Sequence, residues 1–455
     1  MTPAQLTALG PKLTAALRPF HDCCQQQRTR DHLHTYCRGL LSDLPRKSVE
    51  PIALQAGTAV RTLQEFLRDH SWEDDAVCDL LHRQAALRLP TLADDDLGTV
   101  GLIDETSAVK SGTQTPGVQR QYLGCVGKVA NGIVTVHVGL CKGRYKVLLD
   151  ADLYLPKSWH ADRQRCRQAG IPDHVVYRPK WQIALEQRDR LRAHGIALDW
   201  LTFDEEYGKR PDLIAGLDQR QQRFVGEVPR TFSCRAAVRS GRRPAAGAKG
   251  RPAEEVVRHR TAFRSQPWRV LRLQRETLAD QVWRVKAARV WLSSATGWSA
   301  GTYWLIWASN DATGEEKFFL SNAPEETPLE RVVRVAFRRA CVEHSFRVCK
   351  SELGFTHYEG RSYTGLLRHL RLCLVVLNFA AEHCERLRGE KCGSDAGAGV
   401  PGAARGVPGL AAAAAGDHGP EVCGGDHWLP PSTEPSGHHF PAEEATRSPD
   451  SQEAA

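Results

Sequence analysis

Apolar residues in the first 95 positions recur with the spacing of amphipathic helices. Ser48 stands where a helix N-cap is expected, and Gly57 separates this helix from a second one. The second helix would bring four apolar residues onto one face, namely Val60, Leu63, Phe66 and Leu67. Two short helices around a glycine are typical of a helix-turn-helix, but many bundles that do not bind DNA share this spacing. We predict a helical N-terminal domain over residues 1–95.

Between residues 96 and 229 the pattern changes to short apolar or alternating runs, with helical stretches among them. The first three runs predict antiparallel strands over 99–104, 132–141 and 144–155. After them, helices are predicted over 180–195 and 209–218, and strands over 198–204 and 223–228. Three antiparallel strands followed by alternating helices and strands predict an α/β domain with a mixed sheet flanked by helices.

Residues 230–325 interrupt this α/β plan. They open with a segment rich in Pro, Gly, Ala and Arg, and continue with strand-like runs that contain six of the 11 Trp residues. A long amphipathic helix is predicted over 328–350. We therefore predict a β-rich insertion that splits one α/β core into residues 96–229 and 326–388. Residues 389–455 have no core-forming pattern, and we predict that this tail is disordered.

Charge is unevenly distributed along the chain, whose formal net charge is +8. From Arg230 to Arg289 there are 16 Lys or Arg residues against 4 Asp or Glu residues, so the rest of the chain is slightly acidic. Localised positive charge predicts a polyanionic partner such as DNA, because neutralised phosphates release counterions. Arg242, Arg243 and Arg251 are the candidate DNA contacts in this segment. The alternative is a solvated basic loop without a partner.

Cysteine usage and hydropathy indicate a soluble, cytoplasmic protein. The chain has 14 Cys residues without a C-x-x-C pair, and no N-terminal signal sequence is evident. The apolar run over 372–381 is about half of what a bilayer-spanning helix needs. HDCC (21–24) and HLHTYC (32–37) offer zinc ligands, but their spacing fits no common closed zinc site. We therefore predict neither a membrane span nor a zinc site.

Two aspartates close apolar runs in the α/β segment. Asp104 ends the run over 99–104, and Asp204 ends the run over 198–204. Because the carboxyl ends of strands line the functional crevice of an open α/β sheet, we expect both acids at one edge. The alternative for Asp104 is a turn acceptor, since Asp before small polar residues is common in loops. Glu105 alternates to the opposite side of the strand and is not selected.

A third acid, Glu343, lies in a predicted helix. Arg339 precedes it by four residues and Lys350 follows it by seven, so the three side chains project from one helix face. This spacing taken alone also suits a surface salt-bridge ladder. Together with the two aspartates, Glu343 would form an all-oxygen site that suits Mg²⁺ or Mn²⁺. Two such ions would support phosphoryl displacement, with Arg339 and Lys350 bound to DNA phosphates.

The order Asp104…Asp204…Glu343 resembles the DDE triad of bacterial insertion-sequence transposases. The closest resemblance is to the insertion-sequence 4 superfamily and, within it, the 701 branch. Ordered stretches around the triad carry it, namely IDETSAVKSG, GVQRQYLGCVGKVANG, DADLYLPKSW, DEEYG and KSELGFTHYEGRSYTGLLRH. The superfamily's glutamate motif is Tyr-x2-Arg-x3-Glu-x6-Lys, and this sequence departs from it only by Ala336 at the Tyr position. The motif Asp-Asp-Thr-Gly reads Asp-Glu-Thr-Ser from Asp104.

The resemblance implies a ribonuclease H-like catalytic core and cut-and-paste DNA transposition. Water attacks one strand at the element's end, and the freed 3′-hydroxyl then attacks target DNA. Asp104, Asp204 and Glu343 would hold two divalent ions, Mg²⁺ or Mn²⁺, and a homodimer would synapse two terminal inverted repeats of double-stranded DNA. The family's β-rich insertion has its counterpart in residues 230–325, where Trp298 is the candidate to hold a flipped base. Most of the other Trp residues are expected in the sheet core.

Two other function classes fit part of the sequence. RPD (210–212) and EEK (315–317) are similar to the Pro-Asp…Glu-x-Lys pattern of restriction-type nucleases, but they lie far apart and RPD begins a predicted helix. A DNA-binding regulator or an inactive transposase remnant would share the basic insertion and the helical N-terminus. Metal-dependent nicking of a terminal inverted repeat distinguishes an active enzyme from a regulator.

Overall fold

The computed structural model describes residues 9–238, 242–245, 247–273, 281–294 and 297–394. Before the first strand, the described residues form five α-helices: α1 (Leu9–Leu17), α2 (Gln27–Leu41), α3 (Val49–Gln55), α4 (Val60–Arg68) and α5 (Asp74–Arg88). Leu63, Phe66 and Leu67 of α4 are buried, as the helical pattern predicted. Gly57 has a positive φ of 64° in the turn between α3 and α4, where a side chain would be strained. The predicted pair of helices around this glycine is confirmed.

The central sheet begins with six strands: β1 (Val100–Val109), β2 (Gln119–Leu123), β3 (Lys128–Lys142), β4 (Tyr145–Leu153), β5 (Trp200–Phe203) and β6 (Phe224–Glu227). β3 pairs antiparallel with β1 and with β4, as predicted, whereas β5 runs parallel to β1 and β6 runs parallel to β5. The strand order is therefore β4-β3-β1-β5-β6. Strand β2 was not predicted because its sequence, QRQYL, has no apolar residue among its first three.

Five helices connect these strands: α6 (Lys157–Ala161), α7 (Arg163–Gln168), α8 (Lys180–Ala193), α9 (Glu205–Gly208) and α10 (Pro211–Gln219). A parallel pair such as β1 and β5 needs a long crossover, and α8 lies in that connection. Gln187 anchors α8 to the sheet, because its amide donates a hydrogen bond to the Val136 carbonyl of β3 at 2.8 Å. The mixed α/β sheet flanked by helices is thus as predicted.

The strands after β6 extend the same sheet. Its further elements are β7 (Ser233–Ala236), β8 (Arg251–Pro252), α11 (Ala253–His259), α12 (Thr261–Arg264), β9 (Arg269–Leu273), β10 (Gln281–Ser294), β11 (Gly297–Trp298), β12 (Tyr303–Ser309) and β13 (Glu316–Ser321). β13 pairs antiparallel with β6, so that Phe319 lies opposite Glu227. β12, β10, β7 and β8 follow in that order, which gives a sheet of 13 described strands. The segment predicted as an insertion is rich in strands and continuous with the core sheet.

The last helices are α13 (Leu329–Phe337), α14 (Ala340–Glu352) and α15 (Tyr363–Ser394). The prediction of a single helix over 328–350 is wrong, because the helical structure is interrupted between α13 and α14. Two arginines at this break pair with acids elsewhere in the fold, Arg338 with Asp95 and Arg339 with Asp104. These ion pairs join residues that are far apart in sequence, so the hydrophobic periodicity of the helix does not reveal them. α15 continues to Ser394, past the predicted boundary at residue 388, and residues 395–455 lie outside the described part of the chain.

Helix α15 forms much of the core. Residues 363–384 are long and apolar enough to cross a membrane by length and composition, with a mean hydropathy of 1.3. However, 89% of that apolar window is buried inside the protein, against β4 and the N-terminal helices. This burial is typical of the central helix of a folded domain.

A charged network is buried where α15 meets β4. The Arg371 guanidinium lies 2.5 Å from an Asp150 oxygen, and Arg190 of α8 lies 2.8 Å from the other Asp150 oxygen. The Asp150 and Arg371 side chains are 0% and 3% exposed. Burial opposes ionisation of Asp150, but the two arginines outweigh it and hold the pKa of this carboxyl below its usual range. The network therefore ties α15 and α8 to the sheet with full charges.

We expect Arg371→Met to lower the free energy of unfolding by about 3–5 kcal/mol, because it leaves a buried charge without its main partner. Urea unfolding at neutral pH measures this loss. Arg347→Met removes an exposed arginine from α14 and should change the same quantity by less than about 0.5 kcal/mol. If the two variants were equally stable, the network would not support the fold.

Candidate active site

The register between β1 and β5 brings two predicted acids together. Leu102 and Thr202 form the last pair between the two strands, two residues before Asp104 and Asp204. The charge of Asp204 contributes to the raised pKa of Asp104, so the two side chains are near each other. Asp204 follows the last residue of β5 and caps α9, where its Oδ1 accepts a hydrogen bond from the Tyr207 amide at 3.2 Å. The strand-end position predicted for Asp204 is confirmed.

The strand-end position predicted for Asp104 is wrong. Asp104 lies in the interior of β1, which continues to Val109 because the long strand β3 pairs with it as far as Gly132. The run of apolar residues ends at Asp104, but the ladder of backbone hydrogen bonds does not. The turn-acceptor alternative is also excluded for this residue, since it lies within a strand.

Arg339 joins Asp104 to the third predicted acid. Its Nη1 lies 3.2 Å from Asp104 Oδ2, and its Nη2 lies 2.9 Å from Glu343 Oε1. The Asp104 and Arg339 side chains are 14% and 21% exposed, whereas Glu343 is 63% exposed. Lys350 lies farther along α14, with its Nζ 5.5 Å from the centre of the Phe346 ring. Arg339 therefore bridges Asp104 and Glu343, and the charge of Asp204 also helps to raise the pKa of Arg339.

The three carboxylates do not close into a tight group. Among the described residues, two groups of three potential ligands have donor atoms within 4.8 Å of one another, and neither contains Asp104, Asp204 or Glu343. Carboxylates repel each other at short range, and the Arg339 guanidinium lies between Asp104 and Glu343. The donors are nevertheless all carboxylate oxygens, which is the ligand type that Mg²⁺ and Mn²⁺ prefer.

The electrostatics of the two aspartates also suit a cation. Burial raises the pKa of Asp104 to about 7, with a further contribution from the charge of Asp204, and Arg339 opposes this rise. Burial likewise raises the pKa of Asp204. When both are ionised, these two partly buried carboxylates carry more negative charge than the single Arg339 guanidinium balances. A divalent cation would stabilise their ionised forms, so the residues present fit such an ion.

Glu105 occupies the other face of β1, as the alternation of the strand predicted. Its Oε1 lies 2.6 Å from Lys180 Nζ of α8, while its Oε2 has no hydrogen-bond partner among the described residues. The buried Tyr207 hydroxyl likewise has no partner in the described part of the chain. Burial and the charges of Glu105 and Asp104 raise the pKa of Tyr207, so this hydroxyl stays protonated. Sequence reasoning missed Lys180 and Tyr207, although Tyr207 follows Asp204 by three residues at the start of a helix.

The candidate DNA contacts of the insertion have different surroundings. Arg242, Arg243 and Arg251 are exposed, and Arg243 donates a hydrogen bond to the Trp298 carbonyl while Arg251 pairs with Glu255. The Trp298 side chain is buried, with 6% of the residue exposed. The DNA-binding roles of these residues stay predictions.

A cluster of aromatic and basic side chains in the insertion was missed by sequence reasoning. The rings of Trp268 and Trp307 lie 4.7 Å apart between centroids, and both residues are partly exposed. Arg284 and Lys286 lie 5.0 and 4.9 Å from the centre of the Trp268 ring, and Arg258 lies 5.5 Å from that of Trp307. The sequence did contain a signal for this cluster, because residues two apart in a strand, such as Arg284 and Lys286 of β10, project from the same face.

Comparison with known families identifies the chain. The family model described as "DDE superfamily endonuclease" matches residues 19–291, which is more than half of the chain. The chain belongs to this superfamily. The match includes Asp104 and Asp204 and ends before Glu343. The resemblance to DDE enzymes predicted from the sequence is therefore confirmed.

Relatives of this member of the DDE superfamily include a transposase of the predicted branch. The chain is 30% identical over 200 residues to the probable transposase for insertion sequence element IS701 from Microchaete diplosiphon. This alignment covers 43% of the chain and 47% of the relative, so the chain spans about half the length of the curated relative it matches. Among solved structures, a piggyBac transposase synaptic complex with hairpin DNA is similar at 11% identity over 81% of this chain and 68% of the other, with a TM-score of 0.39. That score is too low to support an inference about the fold.

We expect Asp104→Asn to stabilise the metal-free protein more at pH 8 than at pH 5. The folded state keeps the Asp104 proton up to a pKa of about 7, against an ordinary value of 3.8, so the wild-type protein loses stability as the pH rises between these values. The asparagine variant escapes this loss, so its stabilisation should be larger at pH 8 than at pH 5 by on the order of 2 kcal/mol.

Thermal unfolding in EDTA at both pH values measures the difference. Asp43→Asn, at an exposed position, is the control and should show no such pH dependence. A stabilisation by Asp104→Asn that is equal at pH 5 and pH 8 would contradict the raised pKa.

Proposed function

We propose that the chain is a DNA transposase that moves an insertion sequence by metal-dependent 3′-end cleavage and strand transfer. The observation that carries the proposal is that Arg339 bridges Asp104 on β1 and Glu343 on α14, while Asp204 after β5 lies close enough for its charge to raise the pKa of Asp104. The strand order β4-β3-β1-β5-β6, with an antiparallel half and a parallel half, supports a ribonuclease H-like core formed by residues 96–229 and 326–388.

Asp104, Asp204 and Glu343 are the residues that would hold two Mg²⁺ or Mn²⁺ ions. When bound, the ions supply an activated water and stabilise the leaving oxygen of an in-line phosphoryl displacement. Glu343 can bind an ion once its ion pair with Arg339 opens. Because Glu343 is exposed, breaking this ion pair costs little free energy. The released guanidinium then binds a backbone phosphate, for which its two parallel N–H donors are well suited. Lys350, on the same helix, contributes a second phosphate contact.

The basic insertion provides the proposed DNA clamp. Arg242, Arg243 and Arg251 neutralise phosphates, and the partly exposed Trp268–Trp307 pair offers stacking surface among three cationic side chains. Trp298, which is buried, would need to be uncovered before it could hold a flipped base. The helical domain over residues 1–95 recognises the terminal inverted repeats. Two element ends require a homodimer in the synaptic complex, and the enzyme acts in the cytoplasm, at the nucleoid.

The nuclease activity is tested by nicking of labelled DNA that carries the element's terminal inverted repeat, with Mg²⁺ or Mn²⁺. Asp104→Ala, Asp204→Ala and Glu343→Ala should each reduce the nicking rate by at least about 1,000-fold, because each removes oxygen ligands of the ions. Binding of the same DNA, measured in Ca²⁺ or EDTA, should change little.

Asp212→Ala is the matched control, because Asp212 is an exposed acid near Asp204 in the sequence and belongs to the rival RPD motif. Nicking lost in this control but kept in Asp104→Ala would favour the restriction-type reading. Binding without any nicking by the wild-type protein would favour a DNA-binding regulator.

The DNA clamp is tested by the salt dependence of binding. The double variant Arg242→Ala/Arg243→Ala should reduce the slope of log K against log salt by about 2, since each lost phosphate contact releases about one counterion fewer. Arg192→Ala, an exposed arginine at the end of α8, is the control and should leave the slope unchanged. An unchanged slope in the double variant would show that these arginines do not contact DNA.

A further inference from the structure

A second cluster of potential metal ligands lies away from Asp104, where α5 meets the end of α8. Asp79 and His82 lie one turn apart on α5, and His194 directly follows the last residue of α8. Donor atoms of these three residues lie within 4.8 Å of one another. His194 Nε2 and Asp79 Oδ1 are 3.3 Å apart. Neither the match to the DDE superfamily nor the proposed function gives this cluster a role.

In each of the two imidazoles, one ring nitrogen is hydrogen-bonded to a backbone carbonyl. His82 Nε2 donates to the Leu149 carbonyl at 3.0 Å, and His194 Nδ1 donates to the Arg190 carbonyl at 2.9 Å. Because a carbonyl only accepts, each of these nitrogens carries a proton, so in the neutral form of each imidazole the lone pair lies on His82 Nδ1 and on His194 Nε2. Histidines that bind metal ions are oriented by the same kind of bond from the nitrogen that does not bind the metal.

His82 provides an independent indication of a missing ligand. The residue is 0% exposed, and its Nδ1 has no hydrogen-bond partner among the described residues. A buried polar atom without a partner costs about 1–3 kcal/mol, so such atoms are rare without a role. The ring of His194 lies 5.3 Å from that of His82 between centroids, so the two imidazoles are neighbours.

The distances and donors suit zinc. Two imidazole nitrogens and one carboxylate oxygen form a common Zn²⁺ ligand set, with bonds of about 2.0–2.1 Å. The edge of a tetrahedron with bonds of this length is about 3.3 Å, which agrees with the observed separation of Asp79 and His194. The Asp79 and His194 side chains are 41% and 19% exposed, so water can reach a fourth position.

A neighbouring group, formed by Cys78, His82 and Asp150, is a weaker candidate. Its donor atoms are also within 4.8 Å of one another. However, both Asp150 oxygens already bind arginines, Arg371 at 2.5 Å and Arg190 at 2.8 Å. A metal ion at this group would have to displace a buried ion pair, which the group around Asp79 does not require.

We propose that Asp79, His82 and His194 form a zinc site that joins the N-terminal helices to the α/β core. The ion would connect α5 with α8, two helices that are far apart in sequence, and would stabilise their contact. The site takes a borderline-soft metal through nitrogen, whereas the carboxylates around Asp104 take a hard ion through oxygen.

The experiment uses the full-length protein carrying Asp104→Ala, which weakens metal binding at the proposed active site. After EDTA treatment and buffer exchange, Zn²⁺ is titrated by calorimetry, and Co²⁺ is added as a spectroscopic probe. The expected results are one equivalent of Zn²⁺ per chain, a higher melting temperature with Zn²⁺, and the strong visible bands of four-coordinate Co²⁺.

Variants assign the binding to these residues. Asp79→Asn and His194→Gln, at partly exposed positions where folding is preserved more easily than at His82, should each weaken Zn²⁺ binding by at least about 10-fold. His174→Gln, at an exposed position, is the control and should bind as before. Absence of Zn²⁺ binding, or equal affinity in all three variants, would overturn the proposal and would reduce the cluster to an Asp79–His194 ion pair. Nicking activity is measured separately, so neither result bears on the proposed transposase function.

Discussion

The parallel pairing of β1 with β5 is the constraint on which the candidate active site depends. Asp104 and Asp204 are separated by 100 residues, yet the ladder that ends at Leu102 and Thr202 brings them near each other. Slippage by one residue would turn one of the two carboxylates to the other face of the sheet. The register is held in turn by the buried apolar residues Leu102, Leu201 and Phe203, so the packing of the core determines the geometry of the acids.

Arg339 balances part of the negative charge that this register brings together. Two carboxylates that burial would drive toward protonation are kept near a guanidinium, which also holds Glu343 at the surface. The arginine lies at the break between α13 and α14, so the same irregularity that interrupts the helix delivers its side chain to the sheet. Local backbone geometry and site electrostatics are therefore linked at a single residue.

Much of the fold could be predicted because its signals are local. The apolar runs of β1, β3 and β4 and the helical pattern of α4 are fixed by residues close in sequence. The three acids were selected from strand ends, helix spacing and their order along the chain. The extension of β1 beyond Asp104 and the break before Ala340 were missed because each depends on a distant partner, β3 in one case and Asp104 in the other.

The cluster of Asp79, His82 and His194 was missed for the same reason. Its two histidines are separated by more than one hundred residues, and the stretches that were considered for zinc had local spacing alone. The tautomer of each imidazole is set by a backbone carbonyl, Leu149 or Arg190, that no sequence motif marks. Long-range geometry thus accounts for most of what the sequence did not reveal.

The continuity of the sheet from β6 into β13 has a consequence for how this protein could be shortened or recombined. The segment between Glu227 and Phe319 begins and ends on paired neighbouring strands, because these two residues lie opposite each other. Its length can therefore vary with little effect on the core. Removing this segment would nevertheless leave β6 as an exposed edge strand with unpaired backbone amides and carbonyls, and such edges promote association between molecules. The strands after β6 therefore protect this edge by pairing with it, and a shortened protein would need another element to pair with β6.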